Sequence, residues 1–216
     1  MEVVVAENLS KRFGFTWALR GVSLKLGRGL HLLLGPNGSG KTTFLKLALG
    51  MLKPTSGLVR VLGFDPWREW PELSKRAAFA MEGAPLPWWM SGRALLSELC
   101  SMRGFPFANA EKLAGELGVS GYWERPILTY SSGMAKRVLL LTALSFEAEL
   151  YALDEPFTLV DKATIAKLMR MLEELKSSGC TILVATHYLL EGLEADTLVR
   201  FEEGRVVSVE NIGRAG

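Results

Sequence analysis

A chain of 216 residues, 49% hydrophobic and 22% charged, is long enough to bury a full core and too ordinary in composition for a disordered, fibrous or low-complexity protein. Its 25 Lys and Arg against 23 Asp and Glu leave a formal charge of +2, with basic residues scattered in pairs such as Lys75-Arg76 and Lys136-Arg137, so no nucleic-acid partner is expected. The longest strongly apolar stretch, Val138 to Phe146, is too short to cross a bilayer, and the acidic start Met1-Glu2-Val3-Val4-Val5-Ala6-Glu7 lacks the basic leader of a secretory signal, which points to a cytosolic location.

Short β-type runs open the chain, at Glu2 to Ala6, Trp17 to Leu26 and Leu30 to Leu34. The third leads into Gly35-Pro36-Asn37-Gly38-Ser39-Gly40-Lys41-Thr42, a complete G-x-x-x-x-G-K-[ST] phosphate loop, followed by helix-like Thr43 to Leu49. Small residues let successive N–H groups turn inward around phosphate oxygens, and the helix N-terminus adds the positive end of its dipole. Lys41 supplies a cation for the β and γ phosphates and Thr42 a hydroxyl for Mg²⁺. The expected nucleotide contacts run from Gly35 to Thr43.

Pro54-Thr55-Ser56-Gly57 then turns the chain into a strand over Gly57 to Gly63, the start of an antiparallel flank on a parallel core. A small-residue strand follows at Ala77 to Met81, and Gly83-Ala84-Pro85-Leu86-Pro87 breaks it. From Ser91 to about Leu144 the pattern is helical, with Leu95, Leu96, Leu99 and Met102 at three-and-four spacing. Strands at Leu150 to Leu153 and Thr181 to Ala185 bracket a helix over Lys162 to Lys176, and a pair at Thr197 to Phe201 and Arg205 to Val209 closes the chain. This predicts an α/β fold: a P-loop core with a mixed, mainly parallel sheet, an antiparallel β flank and an inserted helical subdomain. The expected organisation is one domain, 1–216, with its core at about 1–81 and 145–216 and the helical subdomain at about 82–144. Cys100 and Cys180 stand apart from any metal-ligand spacing and are expected to be buried free thiols.

The phosphate loop calls for a metal-holding carboxylate, and the apolar run Leu150 to Leu153 ends in Asp154-Glu155, at the carboxyl edge of a parallel sheet where ligands collect. Asp154 suits Mg²⁺, and Glu155 is placed to reach an attacking water. Thr181 to Thr186 ends in His187 at the same edge, where a neutral imidazole can contact the γ-phosphate and hold the water in line. His31, inside a strand, is expected to be structural.

In this order the motifs resemble those of the ATP-binding cassette (ABC) ATPases, the nucleotide-binding subunits of ABC transporters and their soluble relatives, over nearly the whole chain. Tyr130-Ser131-Ser132-Gly133-Met134 stands where that family has its Leu-Ser-Gly-Gly-Gln signature, with Ser132 in place of the first glycine and Met134 in place of glutamine. The resemblance implies that Ser131 and Gly133 grip the γ-phosphate of ATP bound to a second subunit, a homodimer partner or a paralogue, and that Asp161 lies at that seam. It also places Phe13 under the adenine, although a core position on the antiparallel flank fits Phe13 equally well. Glu82 stands where the family commonly has glutamine and is a further candidate for the metal or its water. Trp88 and Trp89 fall beside the groove that receives a membrane partner in transporters, or else pack the helical insertion onto the core.

On this resemblance the chain is an ATPase using ATP and Mg²⁺, with a separate multi-span permease as partner and a peripheral place on the cytoplasmic face of the membrane. The alternative is a soluble ABC-type ATPase acting in macromolecular assembly or remodelling. A small-molecule kinase is disfavoured by the signature segment and by Glu155, which suits water better than an acceptor substrate.

Overall fold

In the computed structural model, which describes residues 2–212, two sheets share one core. Residues 1 and 213–216 of the expected 1–216 span lie outside the described residues. The first sheet is antiparallel, in the order β2-β1-β4, from β1 (Val4–Phe13), β2 (Thr16–Leu26) and β4 (Ser56–Val61). The second has six strands in the order β5-β6-β7-β3-β8-β9, from β3 (Gly29–Leu34), β5 (Ala77–Ala80), β6 (Leu150–Asp154), β7 (Thr181–Thr186), β8 (Thr197–Glu202) and β9 (Arg205–Asn211). Only its β8–β9 pairing is antiparallel.

Every residue of β6 and β7 is buried, so these strands read as continuous apolar runs rather than alternating ones, as a sheet covered on both faces requires. Helix α1 (Lys41–Ala48) fills the space between the two sheets. There Phe44 meets Phe201 of β8 with ring centroids 5.6 Å apart, and Leu45, Leu47 and Leu49 are buried beside them. Each such side chain contributes roughly 1.5–3 kcal/mol by leaving water. The opposite face is covered by α6 (Lys162–Ser177) through Leu168 and Leu172 and by α5 (Ser132–Leu144) through Leu140 and Ala143.

A third apolar cluster joins α3 (Gly92–Arg103) and α4 (Phe107–Glu116) to the other side of α5, with Leu96, Cys100, Ala110, Trp123, Val138 and Phe146 buried together. The helical stretch is therefore anchored by a helix that also lies on the main sheet. Ser91 starts α3 by accepting from the Ala94 N–H at 3.1 Å, and Gly104, at φ 70°, ends it.

Two elements and one cysteine depart from the sequence reading. Strand β1 runs to Phe13 rather than stopping at Ala6, because a register shift after Ala6, with Asn8 at φ 47°, carries the pairing past the polar run. A short helix α2 (Trp70–Arg76), opened by Pro71 in its first turn, precedes β5 in a stretch with no helical periodicity. Cys180 is half-buried and lies just before β7, whereas Cys100 is buried in α3. His31 is structural as expected, buried in β3 with Nε2 3.0 Å from the Gly27 carbonyl.

Adjacent parallel β6, β7 and β3 bring their carboxyl ends to one edge. The functional residues of four separate chain segments meet there.

Candidate functional site

The loop after β3 turns through Gly38 and Gly40, at φ 80° and 107°, into α1. A side chain at Gly40 would come within 2.7 Å of both the Ala18 carbonyl and Leu19 Cδ2, in a backbone region that L residues rarely adopt, so only glycine lets the loop close against β2. The resulting cavity, about 420 Å³, is lined by Phe13, Ala18, the loop residues Asn37 to Thr43, Glu82 and Glu155. Gly35 and Pro36 form the first part of the loop and offer their carbonyls inward.

Lys41 is buried, and its Nζ donates to the Gly35 oxygen at 2.6 Å and the Pro36 oxygen at 3.1 Å. Burial pulls its pKa below the ordinary lysine value, opposed by the charges of Glu155, Asp154 and Glu82. A flexible ammonium hydrogen-bonded to two loop carbonyls, with the Glu155 carboxylate 4.0 Å away, can swing to a phosphate oxygen at the same site.

Asp154, 1% exposed at the end of β6, accepts from the Thr42 hydroxyl at 3.1 Å through Oδ1. Its Oδ2 is buried without a hydrogen-bond partner among the described residues. Burial raises its pKa, partly offset by the Thr42 hydrogen bond. An unpartnered buried carboxylate oxygen beside a hydroxyl whose oxygen can still accept or ligate is the donor set a small hard cation takes together with phosphate and water oxygens. Thr42 and Asp154 thus fit Mg²⁺. Among the described residues no group of three His, Cys, Asp or Glu stands ready to hold a metal by protein atoms alone.

Glu155 occupies the left-handed region at φ 48°, with its N–H bonded to the Ala185 oxygen at 2.8 Å. One carboxylate oxygen lies 4.0 Å from Lys41 Nζ and the other 3.0 Å from His187 Nδ1. Because a carboxylate only accepts, His187 donates through Nδ1, and Nε2 of the neutral ring is left as an acceptor suited to water. Contact with a phosphate oxygen, the role expected from sequence, requires the doubly protonated ring. Tyr188 meets the His187 ring edge-on at 4.7 Å.

Phe13 is 49% exposed and faces this cavity, which removes the core reading of that residue. Glu82 is exposed on the same cavity, whereas Ser131, Gly133 and Asp161 are not among its lining residues. Ser131 caps α5, accepting from the Met134 N–H at 3.2 Å. Asp161 caps α6, accepting from the Thr164 N–H at 2.9 Å, and pairs with Arg137 of α5. The capping bond to Thr164 keeps its carboxyl below the usual range.

The family model for the ABC transporter matches residues 19–158. The chain belongs to the ABC transporter family. It is an ATP-binding cassette of the ATPase type, with the mixed-sheet P-loop fold of solved cassettes. The cassette is similar to the bacitracin transport ATP-binding protein BcrA of Enterococcus faecalis, 31% identical over 97% of this chain and 70% of the relative. It is also 29% identical to the daunorubicin/doxorubicin resistance ATP-binding protein DrrA of Streptomyces peucetius, over 97% of this chain and 66% of the relative, so it spans about two thirds of that protein's length. A solved ATP-binding subunit of an ABC transporter superposes with a TM-score of 0.87 at 25% identity, covering 97% of the cassette and 90% of the subunit.

One participant escaped the sequence reading. Lys136, noted there only as a basic residue, is buried and bonded to the main chain of Asp154. Its place just after the signature segment was the available signal; its burial depends on how α5 packs.

Proposed function

We propose that this cassette is the energy-supplying subunit of an ABC transporter, in which two copies, or this chain and a paralogue, close around two ATP molecules. The observation that carries the reading is the placement of Glu155, whose two oxygens address Lys41 and His187 at the rim of the phosphate loop. Glu155 accepts the proton of the attacking water, and His187 holds that carboxylate in line. Lys41 leaves its two loop carbonyls for the β and γ phosphates. Thr42 and Asp154 hold Mg²⁺, with Glu82 beside them. The metal, when bound, shields phosphate charge and steadies the leaving group. Phe13 stacks on the adenine.

The position of Ser131, Gly133 and Asp161 outside the loop cavity supports a two-subunit site. A capped helix start such as that of α5 suits the γ-phosphate of a nucleotide held by the facing subunit. Trp88 and Trp89, 58% and 67% exposed and packed edge-on against each other, fit a docking surface for a separate membrane permease on its cytoplasmic face. No helix among the described residues is long and apolar enough to cross a membrane. The names of the relatives, which speak of transport and drug resistance, favour this over a role in macromolecular assembly.

Glu155→Gln tests the reading. We expect turnover to fall by about 10²–10⁴, while ATP drives the variant into a stable dimer seen by light scattering. Hydrolysis at the native rate, or a variant that stays monomeric with ATP, overturns it.

A further inference from the structure

Lys136 lies on α5 beyond the Ser131 cap and is 6% exposed. Its Nζ donates to the main-chain oxygen of Asp154 at 3.0 Å. That oxygen belongs to the peptide unit joining Asp154 to Glu155, and the N–H of the same unit donates to the Ala185 oxygen at 2.8 Å. One peptide group is therefore held at both ends, by a helix on one side and by β7 on the other.

The residue that follows is the one that needs this. Glu155 sits at φ 48°, which for a residue with a Cβ costs on the order of 1–3 kcal/mol and persists only where the surroundings enforce it. Rotation of the 154–155 peptide would relieve that strain and swing the carboxylate away from both Lys41 and His187. Burial of an ammonium is itself costly, and an apolar side chain could cover the same patch of sheet. Desolvation accordingly lowers the Lys136 pKa, opposed by the charges of Glu82, Asp154 and Glu155.

We infer that Lys136 is a positioning residue, whose ammonium locks the Asp154–Glu155 peptide and so fixes the direction in which the Glu155 carboxylate leaves β6. The effect on turnover rests on the hydrolytic role proposed for Glu155; the lock on the peptide does not. It also ties the helix that begins at Ser131 to the carboxylates of its own subunit's site.

Two variants and two readouts test the lock. Lys136→Met removes the donor, and Lys136→Gln, equal to Met in length and one atom shorter than Lys, returns an N–H on the same path toward that oxygen. In the nucleotide-free protein, amide exchange followed by NMR should be about tenfold faster at Glu155 in Lys136→Met, unchanged at Leu183 inside β7, and largely restored by Lys136→Gln. In ATP hydrolysis, Lys136→Met should lower kcat about tenfold or more with KM within about threefold, again recovered by Gln. Unchanged exchange at Glu155 overturns the inference, as does a Gln variant no better than Met. Faster exchange at Glu155 and Leu183 together overturns it too, because it marks lost packing. Should the unaltered protein fail to turn over ATP, the hydrolytic reading fails while exchange at Glu155 still decides the role of Lys136.

Discussion

Nδ1 of His187 lies 3.0 Å from Oε2 of Glu155, joining the ends of β7 and β6 across 32 positions of sequence. Neither side chain is oriented alone: the carboxylate sets the imidazole tautomer, and the imidazole holds one carboxylate oxygen while Lys41 stands near the other. His187→Ala should therefore lower kcat by about 10²-fold or more while KM for ATP changes little, since the loss falls on water positioning rather than on nucleotide binding. Residues that act as one unit are not additive. Adding His187→Ala to Glu155→Gln should cost little beyond the first change, and independent multiplicative losses in steady-state kinetics would contradict the arrangement.

Phe13 ends β1 with one face half open to the loop cavity and the Lys11 ammonium 5.1 Å from its ring centroid. Phe13→Ala should weaken ATP binding by about 1 kcal/mol, roughly fivefold, while Phe13→Tyr and Phe13→Trp retain it. Stacking offers no hydrogen-bond readout of the base, so GTP should lose affinity by the same factor. Titration calorimetry with both nucleotides measures this, and a loss confined to ATP would point to base recognition elsewhere.

The site was legible in sequence where its chemistry is local. The phosphate loop, Asp154-Glu155 and His187 each sit at the end of an apolar run, and parallel pairing then brings the ends together without further information. Ser131 was legible as a helix cap for the same reason. Phe13 stayed ambiguous because strand periodicity fails along β1, where the register shifts after Ala6, and facing direction cannot be counted across a bulge. Lys136 was read as one more basic residue, since nothing local distinguishes a solvated lysine from a buried one; its burial comes from α5 lying on β5 and β6. Helix α2, opened by Trp70 and Pro71, is too short to show a period.

Asp154 carries a stability cost that its proposed metal role explains. Burial raises its pKa above the ordinary 3.8, so the fold binds its proton more tightly than the unfolded chain does. The sign follows: in the window between 3.8 and the raised value the native state holds more protons, stability falls as pH rises through it, and the penalty stays at neutral pH. Asp154→Asn should stabilise the nucleotide-free protein by on the order of 1 kcal/mol, a melting temperature roughly 2–4 °C higher, while abolishing Mg²⁺-dependent turnover. The gain should vanish on acidification, as the native carboxyl takes up its proton. A lower melting temperature at neutral pH would show that Asp154 stabilises the fold.

Gly133 approaches the segment between β6 and α6 so closely that a Cβ would lie 2.6 Å from the Leu159 carbonyl oxygen. That oxygen is main chain and cannot swing aside, and Leu159 is itself at φ 65°, with Asp161 nearby held by Arg137 and the Thr164 N–H. The start of α5 must therefore shift if any side chain is added. Gly133→Ala should destabilise the fold by about 1–3 kcal/mol, the usual cost of overpacking. The phosphate loop and Phe13 are untouched, so a single subunit should bind ATP with unchanged affinity. The displaced Ser131 cap should no longer meet the facing nucleotide, and in a Glu155→Gln background ATP should fail to produce the dimer. Ser131→Ala provides the contrast, removing the cap to Met134 at about 1 kcal/mol without moving the helix. If Gly133→Ala dimerises as readily as its parent by light scattering, the α5 start does not lie at the seam between subunits, and the two-subunit site is wrong.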